Sequence, residues 1–319
     1  MAQSRLGVHV TGPDSGAILA GIKKAEETGI QAAWLTTGGA GSDGLTILAG
    51  AAVSTQRILL GTSIIPTFPR HPLVMAQQVQ VIHHLAPGRF RLGIGPSGRS
   101  GMEETFGVDY RAPLGHVSEY LHILKSFLQE GEVDFDGRYY QAHAKISTSP
   151  MDVPVMASAL GVKAYELCGA GADGAISWVC PGRYLRDVGL PAMKRSAENS
   201  GRPVPPLVAH VPVCVHEDPD EARESVRQQF GFFPRTPFYQ RMFIAAGFPE
   251  ASQGTWSDEM VDAVALWGDE ARVEEKLEEL FSFGAAEILA SPVSAGGDRE
   301  ASFDRTMQLL AKVARTVGP

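Results

Sequence analysis

Short uninterrupted apolar runs recur along the chain, and each is followed by a longer stretch in which apolar positions return every three or four residues. The runs are rich in Val, Ile, Leu and Ala without polar alternation, as in strands covered on both faces of a parallel sheet. They predict strands at 5–10, 32–36, 57–65, 89–95, 153–159, 174–179, 207–215 and 287–291. The amphipathic stretches predict helices at 14–29, capped by Asp14 and closed at Gly29, and at 43–54, 72–84, 114–129, 162–171, 184–200, 219–230, 272–283 and 303–317. An extra extended segment, 133–141, carries Asp136-Gly137 at its turn. Residues 231–267 are too many for a plain connection and predict a partly helical insertion beside the site.

Strands alternating with helices give an α/β fold, and eight such units close into a (β/α)8 TIM barrel. The 319 residues suit one barrel domain, 1–319, with its insertion between strands 7 and 8. A doubly wound dinucleotide fold is a poor alternative. The turn after the first strand reads Thr11-Gly12-Pro13-Asp14-Ser15-Gly16 and lacks the G-x-G-x-x-G spacing. Hydrophobic residues make up 44% and charged residues 20% of the chain, an ordinary globular mixture. The net charge of −8 argues against nucleic-acid and anionic-membrane partners. Cys168, Cys180 and Cys214 have no metal spacing and an odd count, which suits a reduced, cytoplasmic compartment. Residues 1–10 show no signal-peptide core, and no apolar run approaches the ~20 residues of a membrane span.

Barrel enzymes work at the C-terminal ends of their strands. Here those ends are rich in Gly, Ser, Thr and Pro and poor in carboxylates. Glycosidases need paired carboxylates and metallohydrolases need clustered ligands, so neither class fits and no metal site is expected. His83-His84 is not a ligand pair, because adjacent helical residues point apart. Chemistry at such strand ends belongs to an organic cofactor.

The most specific stretch is 57–72, RILLGTSIIPTFPRHP, followed by Ala76-Gln77-Gln78 and by LAPGRFRLGIG at 85–95. It resembles the third and fourth strands of the luciferase-like monooxygenase superfamily, most closely the branch that uses coenzyme F420, a deazaflavin, and includes methylenetetrahydromethanopterin reductases. The resemblance implies a cis peptide at Ser63-Ile64 that presses on one face of the tricyclic ring. A second match is PVMASALGVKA at 154–164, like the family's fifth strand. It implies cofactor contacts from Ala159, Leu160, Gly161 and Val162, with the free N–H groups of Gly161, Val162 and Lys163 on the phosphate. The family often has Pro where Val162 stands. Pro96 and Ser97 border the ring and ribityl chain by the same resemblance, and Trp178 stands at the pocket rim. FMN, with O2 and a separate reductase, is the alternative cofactor. Arg70, Lys163 and Arg99 are candidates for the anionic tail of F420.

The sugar-oxidising branch carries Asp-His after the second strand and Glu after the fourth. Thr37, Gly38 and Gly98 stand at those places. Oxidising an alcohol needs a base, so reduction of a C=C or C=N bond in a small organic substrate is the expected reaction. His9 and Thr37 are the candidate catalytic proton donors. Phe232, Phe233, Phe238, Tyr239 and Phe243 of the insertion are candidate substrate-lining residues. A homodimer is expected by resemblance, and the run Leu48-Ala49-Gly50-Ala51-Ala52 permits close helix packing.

Overall fold

The computed structural model describes residues 4–318. Residues 1–3 and 319 of the expected domain, and with them the start of the stretch read for a signal peptide, lie outside the described residues. Eight parallel strands form a closed ring: β1 Arg5–His9, β2 Ala32–Leu35, β3 Leu59–Thr62, β4 Phe90–Gly95, β5 Val155–Ser158, β6 Ala175–Trp178, β7 Leu207–Val215 and β8 Glu287–Pro292. Each pairs with its successor, and β8 pairs with β1, Arg5 opposite Glu287. The expected (β/α)8 barrel is the fold. In the ring, β3 stands across from β7, four places away.

Aspartates start many of the helices. Asp14 accepts the Ala17 amide at 2.8 Å and opens Ser15–Thr28, which ends at Gly29 with φ 90. Asp43 opens Gly44–Ser54 in the same way, through the Thr46 amide. Such caps satisfy amides that the helix itself leaves unpaired.

The barrel interior is packed separately from the layer between strands and helices. Ala32, Trp34, Met156, Ile176, Val208 and Leu289 fill the interior, with Leu59 and Ile64 against them. Trp34 is fully buried. Its indole N–H donates to Glu287 at 2.8 Å, and the Arg91 guanidinium sits 4.4 Å from its ring centre. Arg91 also forms a two-pronged bond to Glu287, at 2.5 and 3.0 Å. Gly61 makes room for this indole, since a Cβ there would stand 2.4 Å from Trp34 Cε3.

The chain departs from the sequence reading at several places. The strand expected at 57–65 is broken. β3 ends at Thr62, the chain bulges at Ser63–Ile64, and pairing resumes at Ile65–Pro66 against Ile94 and Gly95 of β4. A helix, Arg99–Phe106, follows β4 where a loop was expected, and Gly98 gives it no side-chain cap to advertise it. The extended segment at 133–141 is a hairpin, Glu132–Asp136 with Gln141–Lys145. The stretch 231–267 holds helices Pro237–Ala245 and Asp258–Val264. It ends in a three-residue strand, Leu266–Gly268, that pairs with Val213–Val215 of β7. Among the described residues no helix is long and apolar enough to cross a membrane.

Candidate active site

The strand ends converge on one mouth. On the β3 side the Ser63–Ile64 peptide is cis, as the sequence resemblance implies. Hydrogen bonds hold the bulge on both flanks. Ser63 N–H donates to Leu35 O at 2.7 Å, Thr36 Oγ1 to Ser63 O at 2.8 Å, and Thr37 N–H to Ile64 O at 3.2 Å. On the other flank Thr62 Oγ1 donates to Gly93 O and accepts from Gly93 N–H, both at 2.8 Å. Ser63 is buried, while Ile64 keeps part of its surface open. Gly95 allows β4 to approach: a Cβ there would stand 2.3 Å from Ser158 Oγ and 3.1 Å from Ile64 Cγ1.

Beyond β4, Pro96 is half-buried and Ser97 exposed, with φ 60 at Ser97. The Tyr110 hydroxyl donates to Ser97 O at 2.8 Å and ties the loop down. At the end of β5, Ala159 is buried and Leu160 half-buried. Gly161 then starts helix Val162–Gly171 without a side-chain cap, in open space. The N–H groups of Gly161, Val162 and Lys163 have no acceptor among the described residues. Three free amides at a helix start are able to donate to an anion. Lys163 makes no ion pair among the described residues. Arg70 is held by Asp43 at 2.6 Å and Arg99 by Glu103 at 2.7 Å, so of the three candidate cations for an anionic tail only Lys163 has its charge free.

Across the mouth stand β1, β6 and β7. His9, Trp178 and His210 lie side by side there, His210 4.0 Å from Trp178 and 5.5 Å from His9 by ring centres. His210 is buried and bonded through Nε2 to Ser291 Oγ at 2.8 Å. His9 is partly exposed, yet the atoms packed around it strip its water, and burial pushes its pKa down to about 4. Burial, and then the neighbouring His9, holds His210 well below the usual range. Both rings are neutral at pH 7. Thr37 Oγ1 accepts the Gly44 amide at 3.0 Å, which leaves its own hydrogen to give. Val179, next to Trp178, has φ 44, a region β-branched residues avoid and one that collects at functional sites.

The structure therefore brings His9, Thr37, Ser63, Ile64, Pro96, Ser97, Ala159, Leu160, Gly161, Val162 and Trp178 to the strand-end face of one barrel. Sequence reasoning passed over His210, Ser291 and Tyr110 as site residues. All of β7 is buried, so no alternation marked His210 as facing inward. A separate cleft of about 490 Å³ around Lys276 and Phe283 shares none of these residues. Among the described residues no group of three or more His, Cys, Asp or Glu is placed to hold a metal ion.

Comparisons with known proteins identify the family. Residues 1–287 match the family model described as luciferase-like monooxygenase. The F420-dependent glucose-6-phosphate dehydrogenase of Beutenbergia cavernae is 37% identical over 197 residues, 60% of this chain and 58% of that one. The match thus spans under two thirds of that relative. The 5,10-methylenetetrahydromethanopterin reductase of Methanolobus tindarius is 25% identical over 297 residues, 87% of this chain and 90% of the other. An F420-dependent secondary alcohol dehydrogenase, solved with an F420-acetone adduct, superposes over the full length of both chains with a TM-score of 0.84 at 17% identity. The chain belongs to the luciferase-like monooxygenase family.

Proposed function

We propose that this chain is a coenzyme F420-dependent oxidoreductase that reduces a C=C or C=N bond of a small organic substrate. The observation that carries the reading is one mouth with two fittings. A bulge bares Ile64 on β3, and three unpaired amides begin the helix after β5. An apolar backing and a set of free amides suit a cofactor with a flat ring and a phosphate. The relatives named F420-dependent support the deazaflavin over FMN.

Reduced F420 supplies a hydride when bound. Ser63 and Ile64 would back the ring from β3, Pro96, Ser97, Ala159 and Leu160 would border it, and Trp178 would stand at the pocket rim. The amides of Gly161, Val162 and Lys163 hold the phosphate, and the Lys163 ammonium meets the anionic tail. The substrate lies on the β1, β6 and β7 side, beneath the 231–267 insertion. No strand-end residue on that side is a carboxylate, so an alcohol proton has no strong acceptor there and reduction is favoured. His9 and Thr37 are the proton donors in this reading. At pH 7 His9 is neutral and offers one N–H, and Thr37 offers its hydroxyl hydrogen.

Two further readings rest on the surface and the thiols. Helices Gly44–Ser54 and Pro72–Leu85 expose Val53, Val74 and Val81, an apolar face that suits a homodimer. The three cysteines are free and buried, as suits the cytoplasm.

The test is anaerobic mixing of the protein with reduced F420 and an activated alkene or imine. The reading expects the oxidised-deazaflavin absorbance to appear in step with loss of the double bond. Turnover seen only with FMN and O2 would assign the chain to the monooxygenases instead.

A further inference from the structure

An unbroken line of aromatic rings runs from the strand ends onto the insertion. His9, His210, Trp178, Phe233 and Tyr239 follow one another at centre-to-centre distances of 5.5, 4.0, 5.7 and 4.8 Å. Two polar atoms of this wall are unspent. The indole N–H groups of Trp34, Trp256 and Trp267 donate inside the protein, to Glu287, Phe230 O and Asp262. Among the described residues the indole N–H of Trp178 has no acceptor, and the Tyr239 hydroxyl has no partner. Neither atom is sealed from accessible space. Largely buried Trp and Tyr normally pair these atoms, so donors left open beside a reactive mouth point to a ligand that accepts.

Charge narrows the ligand further. No Asp, Glu, Lys or Arg occurs among the five wall residues. Arg70 and Arg99, the mouth-side guanidiniums, are already paired. A buried anion needs a partner cation, and none of the five wall residues supplies one.

We propose that the wall is the substrate subsite and that its ligand is a flat, uncharged, conjugated carbonyl compound, one face on Trp178 and Phe233 and its oxygen accepting from the Trp178 indole. This rests on the F420 reading and names its substrate class. Reduced F420 would supply the hydride, and the ligand would receive it at the carbon β to the carbonyl. The C=C electron pair moves toward the carbonyl oxygen, where the indole N–H meets the developing charge. His9 or Thr37 would then give the proton to the α carbon, the two electrons of the reduction having come with the hydride. Placing the N–H donor where charge develops is the protein's contribution.

The test is calorimetric binding of benzylideneacetone to the protein as purified and to the protein loaded with oxidised F420. Butylbenzene and glucose 6-phosphate serve as comparison probes. Wild type binds the enone, and glucose 6-phosphate neither binds nor competes. Trp178→Phe keeps a ring but loses the N–H, and it weakens the enone by about fivefold, the worth of one hydrogen bond, while leaving butylbenzene unchanged. Tighter binding of glucose 6-phosphate than of the enone, or equal enone affinity in wild type and Trp178→Phe, would overturn the proposal. If F420 binds and the enone does not, the subsite is wrong and the cofactor reading stands. If the enone binds and F420 does not, the cofactor reading fails.

Discussion

Acidification should weaken this fold through its buried histidines, and the share of His9 can be isolated. His9 has its pKa pushed down to about 4 by burial, whereas an unfolded imidazole titrates near pH ~6.5. A lowered folded pKa means that the unfolded chain binds the proton more tightly. The stability held by the neutral ring is therefore present above the unfolded value and is lost as pH falls toward the folded one. Between pH ~7 and pH ~5 the unfolded ring goes from mostly neutral to almost fully protonated while the folded ring stays mostly neutral, and linkage then gives a loss of about 2 kcal/mol. Urea unfolding followed by circular dichroism at the two pH values, for wild type and His9→Gln, reads this directly. The wild type should lose about 2 kcal/mol more than the variant on acidification. His210 is held neutral first by burial and then by His9, so it pulls the same way in both proteins and most of the difference remains. Equal losses in wild type and His9→Gln would refute the reasoning.

Other consequences follow from the packing. Gly61→Ala drives a methyl into the Trp34 indole and should cost about 1–3 kcal/mol of stability, seen in thermal unfolding. Glu287→Ala leaves the Arg91 guanidinium and the Trp34 N–H unpaired inside the barrel. It should cost about 3–5 kcal/mol in urea unfolding. Val162→Pro removes one of the three free amides at a helix position that tolerates proline. It should weaken cofactor binding by about tenfold at unchanged melting temperature.

Much of this architecture was legible because the strands are continuous apolar runs and many helices open on aspartate. Helix Val162–Gly171 and strand Leu207–Val215 fall where periodicity put them. The misses have local causes. Arg99–Phe106 lacks a capping side chain and a broad apolar face, burying only Met102. Leu266–Gly268 is too short to show a period. The break in β3 leaves no trace in hydrophobicity, since Ile64 and Ile65 prolong the apolar run through the bulge; only the resemblance marked it. The plug of Trp34, Arg91 and Glu287 joins residues far apart in the chain, so no window of sequence displays it. The same holds for His210, whose partners Trp178 and Ser291 come from the two neighbouring strands.

The most direct test of the cofactor site is equilibrium titration of the protein with oxidised F420 and, separately, with FMN, each followed by its own fluorescence. F420 should saturate the protein with an affinity at least about tenfold above that of FMN. Tight FMN binding with no response to F420 would contradict the account.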